Sequence, residues 1–497
     1  MTVTEHTRST WLWASLGLAG SLLTAYAAPR AVPDPAVHWW YVPSAPSGHS
    51  LSLTLVYAGM AVLTGAWLGL GRALPGRGLL LGIAAAWALP LLLAPPLFSR
   101  DVYSYLAQGT ILHLGHNPYR SAPQVLATLG HTRVLDAVSP FWRGTTAPYG
   151  PLFLGLVSLV VGVIGSNLVV GVILIRLIEC SGLVLLAVFV PWLARQLGTD
   201  ARRALWLALL SPLVMLELMA AGHNDVMMAG LLVAGVACAL TGRPVLGVAI
   251  CALAATIKVP ALAGVLFIAV AWARAEPDVA ARLRFLARCA LVAVAVLALI
   301  TVVTGSGVDW LSTSLFSTPA KVRLAVTPAT AVGYTVGSVL RDLGVATTGR
   351  GLEGALGVVA SLLTAATGLV LLYRVRVRSL VGLLGTFLLI AAAAGPAAWP
   401  WYFVWGLALI AAVRTAQRSR ALPVAVALSV FVVKPNGILA LPLPTAPVVL
   451  VVYLALGGAA WLAYRRPRPG PDQSPPAPPS STAPAARQLG PGALAGG

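Results

Sequence analysis

An all-α, polytopic membrane protein is the fold class that three features of this sequence predict. Of its 497 residues, 58% are hydrophobic and only 9% are charged. Mean hydropathy is +0.87, whereas a soluble domain of average composition carries about 25% charged residues. The apolar residues also fall in long runs, many near the roughly 20 residues that a helix needs to cross a bilayer. Together these features exclude a soluble enzyme, a disordered scaffold and a disulfide-built secreted module. The formal net charge of +19 would suggest an anionic partner in a soluble chain. In a membrane protein it records orientation, because Lys and Arg concentrate in cytoplasmic loops. Cys180, Cys238, Cys251 and Cys289 all lie inside apolar runs without C-x-x-C spacing, which argues for packing rather than a disulfide or zinc site.

The runs read in order as 11–28, 51–71, 79–98, 168–193, 204–221, 226–241, 244–257, 260–273, 286–304, 351–373, 379–396, 401–413, 422–438 and 444–463. Taken at face value they give about 14 crossings, with both termini on one side. Connections rich in arginine, such as Arg195/Arg202/Arg203, Arg274/Arg282/Arg284/Arg288 and Arg374/Arg376/Arg378, fall on one face and mark it as cytoplasmic. The stretches 151–165 and 329–340 break the alternation as extra crossings and are read as re-entrant or surface-lying helices. The first run, with Arg8 before it and Ala25-Tyr26-Ala27 after it, imitates a secretory signal. It is read as an uncleaved first span, because the threading works with it in place. Residues 1–464 then form one membrane domain. Residues 465–497, rich in Pro, Ala, Ser and Gly, form a disordered cytoplasmic tail.

The polar residues gather on the opposite, outer face. The segment 98–150 is the longest connection, and a loop of that length in a compact protein is usually functional. It opens with Ser99-Arg100-Asp101-Val102-Tyr103-Ser104-Tyr105. As a helix, this places Asp101, Tyr105 and Gln108 on one face and Val102, Leu106 and Gly109 on another, the pattern of a juxtamembrane helix lying at the interface. A second amphipathic stretch runs through 123–137. Other outer connections carry Gly222-His223-Asn224-Asp225, Lys258-Val259-Pro260, Asp309 with Lys321 and Arg323, Trp399-Pro400-Trp401-Tyr402, and Lys434-Pro435-Asn436. A charge at membrane depth is costly and marks a candidate site.

Each candidate also has a plainer role. Asp101 can cap its helix. Asp225 can be an Asn-Asp turn residue. Lys258 can snorkel to the surface. Lys321 and Arg323 can be solvated loop charges. Trp401 and Tyr402 can belong to an interfacial aromatic belt. Arg176 and Glu179, three apart within one run, read as an ion pair rather than as catalytic groups. No Walker A motif is present, so no ATP-driven pump is encoded. With no dinucleotide fingerprint either, any group-transfer donor must be delivered by the membrane.

The string 99–105, followed by Asn117-Pro118-Tyr119 and then Ala147-Pro148-Tyr149-Gly150-Pro151-Leu152, resembles the first outer loop of actinobacterial polyprenol-phosphate-mannose-dependent α-1,6-mannosyltransferases. Gly222-His223-Asn224-Asp225 and Trp401-Tyr402 are similar to that family as well. The resemblance covers roughly residues 50–465, and the 99–152 loop is its most specific part. The family belongs to the GT-C superfamily. The resemblance therefore implies a multi-helix membrane bundle, an outward-facing site, a lipid-phosphate sugar donor and a catalytic carboxylate in the first large outer loop. By that rule Asp101 is the base, with Asp225 as the other carboxylate to weigh. The implied product is the α-1,6-mannan core of lipomannan and lipoarabinomannan in the cell envelope.

Phosphate is already a good leaving group. It needs cations rather than a general acid, so one carboxylate suffices where a glycosidase uses two. The donor-phosphate candidates are Lys258, Lys321, Arg323 and Arg100. The sugar and acceptor candidates are Tyr105, Tyr149, His223, Asn224, Trp401 and Tyr402. No cofactor or divalent metal is expected, and no nucleic-acid partner. The expected setting is the plasma membrane, with the active site on its extracytoplasmic face. The competing class is a lipid-linked sugar flippase or secondary transporter, which should place its charges near the bilayer midplane in paired broken helices. Here the outer charges cluster near helix ends.

Overall fold

A computed structural model of the protein describes residues 3–33, 36–39, 49–313, 326–345, 349–395 and 397–465. Lys321, Arg323 and the tail beyond residue 465 lie outside the described residues. Residues 1–450 form one compact unit and 451–497 a second; the site described below belongs to the first. Among the described residues there are no strands, only an isolated bridge between Val433 and Leu439.

The helices in the first half are α1 Val3–Ala31, α2 His49–Ala73, α3 Arg77–Leu92, α4 Asp101–His113, α5 Thr132–Ala137, α6 Pro151–Ile164, α7 Leu168–Gln196, α8 Ala201–Ala208, α9 Asp225–Leu240, α10 Pro244–Ala255 and α11 Leu262–Ala273. There follow α12 Val279–Val303, a single turn α13 Trp310–Ser312, α14 Pro328–Asp342, α15 Gly349–Arg374, α16 Leu380–Ala394, α17 Val404–Ile410, α18 Arg414–Arg418, α19 Ala421–Ser429 and α20 Ala446–Arg465. Their starts follow ordinary local chemistry. Asn167, Asp200, Asp278 and Thr327 accept backbone N–H groups in the first turns of α7, α8, α12 and α14. Pro151, Pro244 and Pro328 occupy first-turn positions where no N–H is needed.

Among the described residues, six helices are long and apolar enough to cross a membrane by length and composition, or seven if the bent pair Ala201–Ala208 and Leu213–Ala220 counts as one span. Shorter apolar helices, α6, α9 and α10 among them, accompany these. The chain is thus a helical, polytopic membrane protein. The run 422–438 does not form one helix. Helix α19 stops at Ser429, and the chain then doubles back through Lys434, whose N–H donates to the Ile438 carbonyl at 2.8 Å. Pro435 and Gly437, the latter at φ +82°, enforce that turn.

A second expectation is corrected at α4. Val102 through Ile111 are all buried, so both faces of the helix are covered and it does not lie on a surface. Helix α6 packs against it, with Phe153 edge-on to Tyr105 at 4.8 Å. Helices α7 and α9 approach at Gly182, where an added Cβ would stand 2.2 Å from the Val226 carbonyl oxygen. Packing through small residues lets membrane helices come this close, and here it sets the start of α9 against the body of the bundle.

Candidate active site

The candidate site is built from four chain segments that meet where long helices are interrupted. The first is the entry to α4. Leu97 donates its N–H to the Ala220 carbonyl at 3.1 Å, and Phe98 donates to the Pro435 carbonyl at 2.7 Å. Phe98 is held at φ +66°, a left-handed conformation that a bulky residue adopts only when its surroundings impose it. The chain then enters α4 with Asp101 as its first residue. Its N–H donates to Ser99 Oγ at 3.0 Å, and the N-cap position is held by Arg100 rather than by Asp101. The Tyr149 hydroxyl donates to Asp101 Oδ2 at 3.4 Å, and His223 Nε2 lies 3.8 Å from the same oxygen. Burial pushes the Tyr149 phenol well above its ordinary pKa, so it stays a neutral donor.

The second segment closes the first outer loop. Gly150 donates to the Ile257 carbonyl at 2.9 Å, and Leu152 donates to the Thr256 carbonyl at 3.0 Å. A Cβ on Gly150 would stand 2.2 Å from the Thr256 oxygen. That close approach sets Tyr149 and Lys258 on the same cavity wall. Lys258 sits in the break between α10 and α11, the third segment. Its Nζ donates to both Asp225 oxygens at 2.8 Å and lies 4.5 Å above the Tyr402 ring. The fourth segment is the short turn Pro400–Phe403 leading into α17. There Trp401 stacks on Trp399 at 4.7 Å and on His223 at 3.9 Å, and Trp405 donates to Asp225 Oδ1 at 2.6 Å.

A cavity of about 620 Å³ opens between these segments. Its lining includes the polar and aromatic residues Arg100, Asp101, Ser104, Gln108, Tyr149, Lys258, Trp401 and Tyr402, together with the apolar Leu262, Ala263 and Leu266 of α11 and Phe387, Leu388 and Ala391 of α16. Arg100 donates through Nε and Nη2 to the Ala137 carbonyl, at 3.0 and 2.5 Å. Of the sequence candidates, Arg100, Asp101, Tyr149, Lys258, Trp401 and Tyr402 border this cavity. Tyr105, His223 and Asn224 do not. Tyr105 stands behind Tyr149, edge-on at 4.7 Å. His223 stands behind Trp401, its Nδ1 2.5 Å from the Glu217 carbonyl. Asn224 is fully buried at the start of α9. Asp225 has no exposure at all, and its oxygens are taken by Lys258 and Trp405. It is not among the residues that line the cavity.

Ser104, Gln108, Trp142, Thr145, Trp405 and Asn436 also line the cavity. Ser104 and Gln108 were legible in principle, since they follow Asp101 at helical spacing of three and seven. Trp405 follows Trp401 by four. Asn436 belongs to the polar connection Lys434-Pro435-Asn436 already singled out, whereas nothing in the local pattern marks Trp142. Two charge clusters lie elsewhere. Arg176 is fully buried and donates to the carbonyls of Leu92 and Ala94, at 3.0 and 2.5 Å, and of Ala220; it satisfies chain ends rather than a ligand. Asp309 accepts from Arg120 and Asn117, at 2.8 and 3.0 Å, and ties the first outer loop to the segment after α12. Among the described residues no group of three or more His, Cys, Asp or Glu side chains could hold a metal ion.

Fold and site define a helical, polytopic membrane protein whose cavity is lined by one carboxylate, Asp101, and by the cations Arg100 and Lys258. Residues 13–274 match the family described as "Alpha-(1->6)-mannopyranosyltransferase, N-terminal domain", and residues 327–464 match the "MptB C-terminal domain". The chain belongs to this alpha-(1->6)-mannopyranosyltransferase family. It is 36% identical over 414 residues to Alpha-(1->6)-mannopyranosyltransferase A of Mycobacterium tuberculosis, covering 78% of this chain and 77% of that protein. It is 34% identical over 482 residues to a probable alpha-(1->6)-mannopyranosyltransferase of Mycolicibacterium smegmatis, covering 87% and 84%. Alpha-(1->6)-mannopyranosyltransferase B of Corynebacterium glutamicum is 28% identical over 454 residues, covering 81% and 73%. No solved structure matches the chain.

Proposed function

We propose that this chain is a mannosyltransferase that moves mannose from polyprenyl-phosphate-mannose to a mannan or lipomannan acceptor, forming α-1,6 links. The observation that carries the reading is the mixed lining of one cavity. Asp101, Arg100 and Lys258 line it together with an apolar set of side chains from α11 and α16. An amphiphile with a phosphate at the boundary between sugar and hydrocarbon fits that lining. Its chain lies along Leu262, Leu266 and Phe387, its phosphate meets Lys258 and Arg100, and its sugar reaches Asp101 against Tyr402 and Trp401.

In the reaction, Asp101 takes the proton from an acceptor hydroxyl as that oxygen attacks the anomeric carbon. The bond from that carbon to phosphate breaks, and its electron pair leaves with the lipid phosphate. Lys258 and Arg100 hold the growing charge. A single displacement on a β-linked donor gives the α product with inversion. The donor carries the activated sugar itself, so the reading uses no cofactor and no divalent metal. We place the site on the extracytoplasmic face of the plasma membrane, with both termini cytoplasmic, because the arginine-rich connections mark the other face. Residues 1–464 are then the catalytic membrane domain, and 465–497 a cytoplasmic tail.

The test is incubation of the purified protein with labelled polyprenyl-phosphate-mannose and a short α-1,6-mannose acceptor, with linkage analysis of the product. A new α-1,6-mannosyl bond is expected. Translocation of the labelled lipid without any glycosidic product would overturn the reading in favour of a flippase.

A further inference from the structure

We infer that Asp225 is a positioning residue, which holds the Lys258 side chain at the cavity wall, ready for the donor phosphate. The inference rests on the phosphate role of Lys258 proposed above. Asp225 is fully buried and Lys258 is 14% exposed. The ammonium meets both carboxylate oxygens at 2.8 Å, and Trp405 fixes the carboxylate from behind at 2.6 Å. The Tyr402 ring beneath the ammonium, at 4.5 Å, adds a cation–π contact from a third direction. The arrangement is therefore specified from α9, the α10–α11 break and the turn into α17.

Such a clamp answers a specific difficulty. Burial in a largely apolar cavity works against the charged form of a lysine. A resident anion offsets that cost, so that Lys258 can meet the phosphate as a cation. A carboxylate that is wholly withdrawn from the cavity supplies that anion without occupying the donor's place. The other titratable groups near the pair are His223, on the turn before α9, Asp101 and Tyr105 on α4, Tyr149 at the end of the first outer loop, Glu179 on α7 and Tyr402 itself. None of these contacts the ammonium as a hydrogen-bonding anion.

The test measures donor affinity against pH in the full-length protein, reconstituted in lipid nanodiscs, with labelled polyprenyl-phosphate-mannose. A phosphodiester keeps its charge across the neutral range, so a pH effect reports the protein. For Asp225→Asn, the donor should bind at pH 5.5 at least as tightly as to wild type. Its affinity should then fall by about tenfold or more by pH 8.5, as the unpartnered amine deprotonates. Wild type should stay flat, and Asp225→Glu should restore flatness. An Asp225→Asn profile parallel to wild type, or a loss equal at every pH, overturns the inference. If Asp225→Asn does not fold, Trp405→Phe, which removes one hydrogen bond from Asp225, should tilt the profile in the same direction; a flat profile there overturns it too. Lys258→Met separates the two layers. Unchanged donor affinity in that variant refutes the phosphate role of Lys258 itself, whereas lost affinity beside a flat Asp225→Asn profile refutes only the clamp.

Discussion

Asp101 and Asp225 are carboxylates at the starts of two helices, both close to one cavity, and the structure treats them in opposite ways. Asp101 keeps 16% exposure and is approached by one hydroxyl at 3.4 Å and one imidazole nitrogen at 3.8 Å. Asp225 has no exposure and is held by three contacts of 2.6–2.8 Å. A base needs an oxygen that a substrate proton can reach. A counter-ion needs its oxygens committed to a cation, because a buried charge without a partner is strongly unfavourable. The difference between the acids lies in their neighbours rather than in their position along a helix, which is the first residue in both cases.

The largest effect should come from attacking the free member of this pair. Asp101→Asn keeps shape but removes the proton acceptor, and turnover should fall by about 10²–10⁴-fold in the mannosyl-transfer assay. Asp101→Ala should be equally inactive, and both variants should elute and melt as folded protein, since the N-cap position of α4 is Arg100 and not Asp101. Asp225→Asn should act mainly through donor affinity. An active Asp101→Asn beside an Asp225→Asn that is inactive at saturating donor would invert the comparison.

Next comes the cation that the second acid holds. Lys258→Met should weaken donor use by roughly 30- to 1,000-fold, the usual worth of a charge-assisted contact in a dry site. It also strands Asp225, so unfolding should become easier by about 3–5 kcal/mol. The double variant Lys258→Met/Asp225→Leu should recover most of that stability and none of the activity. If the single and double variants melt alike, Asp225 is not a buried charge that depends on Lys258.

Gly150→Ala probes the spacing rather than the charges. Its Cβ would overlap the Thr256 carbonyl at 2.2 Å, so the loop end must move off the α10–α11 break. Overpacking of this kind costs about 1–3 kcal/mol, and turnover should drop with it as Tyr149 and Lys258 separate. Unchanged turnover and melting would mean that this contact does not set the wall.

Much of this arrangement could be read from the chain. The ends of apolar runs placed Asp101 and Lys258 at interruptions, because a charge is tolerated there and not within a span. Helical spacing placed Asp101 at the head of a helix. Depth was not legible. The sequence of α4 alternates polar and apolar faces, which reads as an interface helix, yet both faces are covered by distant segments such as α6. For the same reason His223 and Asn224 look like an exposed polar turn, but both are fully buried and His223 is stacked on Trp401. The run 422–438 looked continuous, since hydropathy does not register that the Pro435 carbonyl is needed by Phe98. Lys321 and Arg323 remain proposals from charge alone.

The smallest effect should come from the ion pair that lies in water. Arg120 is 73% exposed and meets Asp309 at 2.8 Å, a geometry as good as that of Lys258 and Asp225. Exposed pairs contribute little, because water and salt screen them. Arg120→Gln should therefore leave donor affinity unchanged and shift the melting temperature only slightly at neutral pH. The sign with pH is fixed by Asp309, whose carboxyl the hydrogen-bonded Arg120 holds below the ordinary carboxylate range. A depressed carboxyl stabilises the folded state above its unfolded value of about 4 and loses that contribution as pH falls through its folded value. The small difference between wild type and Arg120→Gln should thus be present at pH 7 and vanish in acid, which paired thermal melts at pH 7 and pH 3 can measure. A large, pH-independent loss in Arg120→Gln would instead mean that this outer tie positions the first loop, and with it Asp101, as strongly as the buried contacts do.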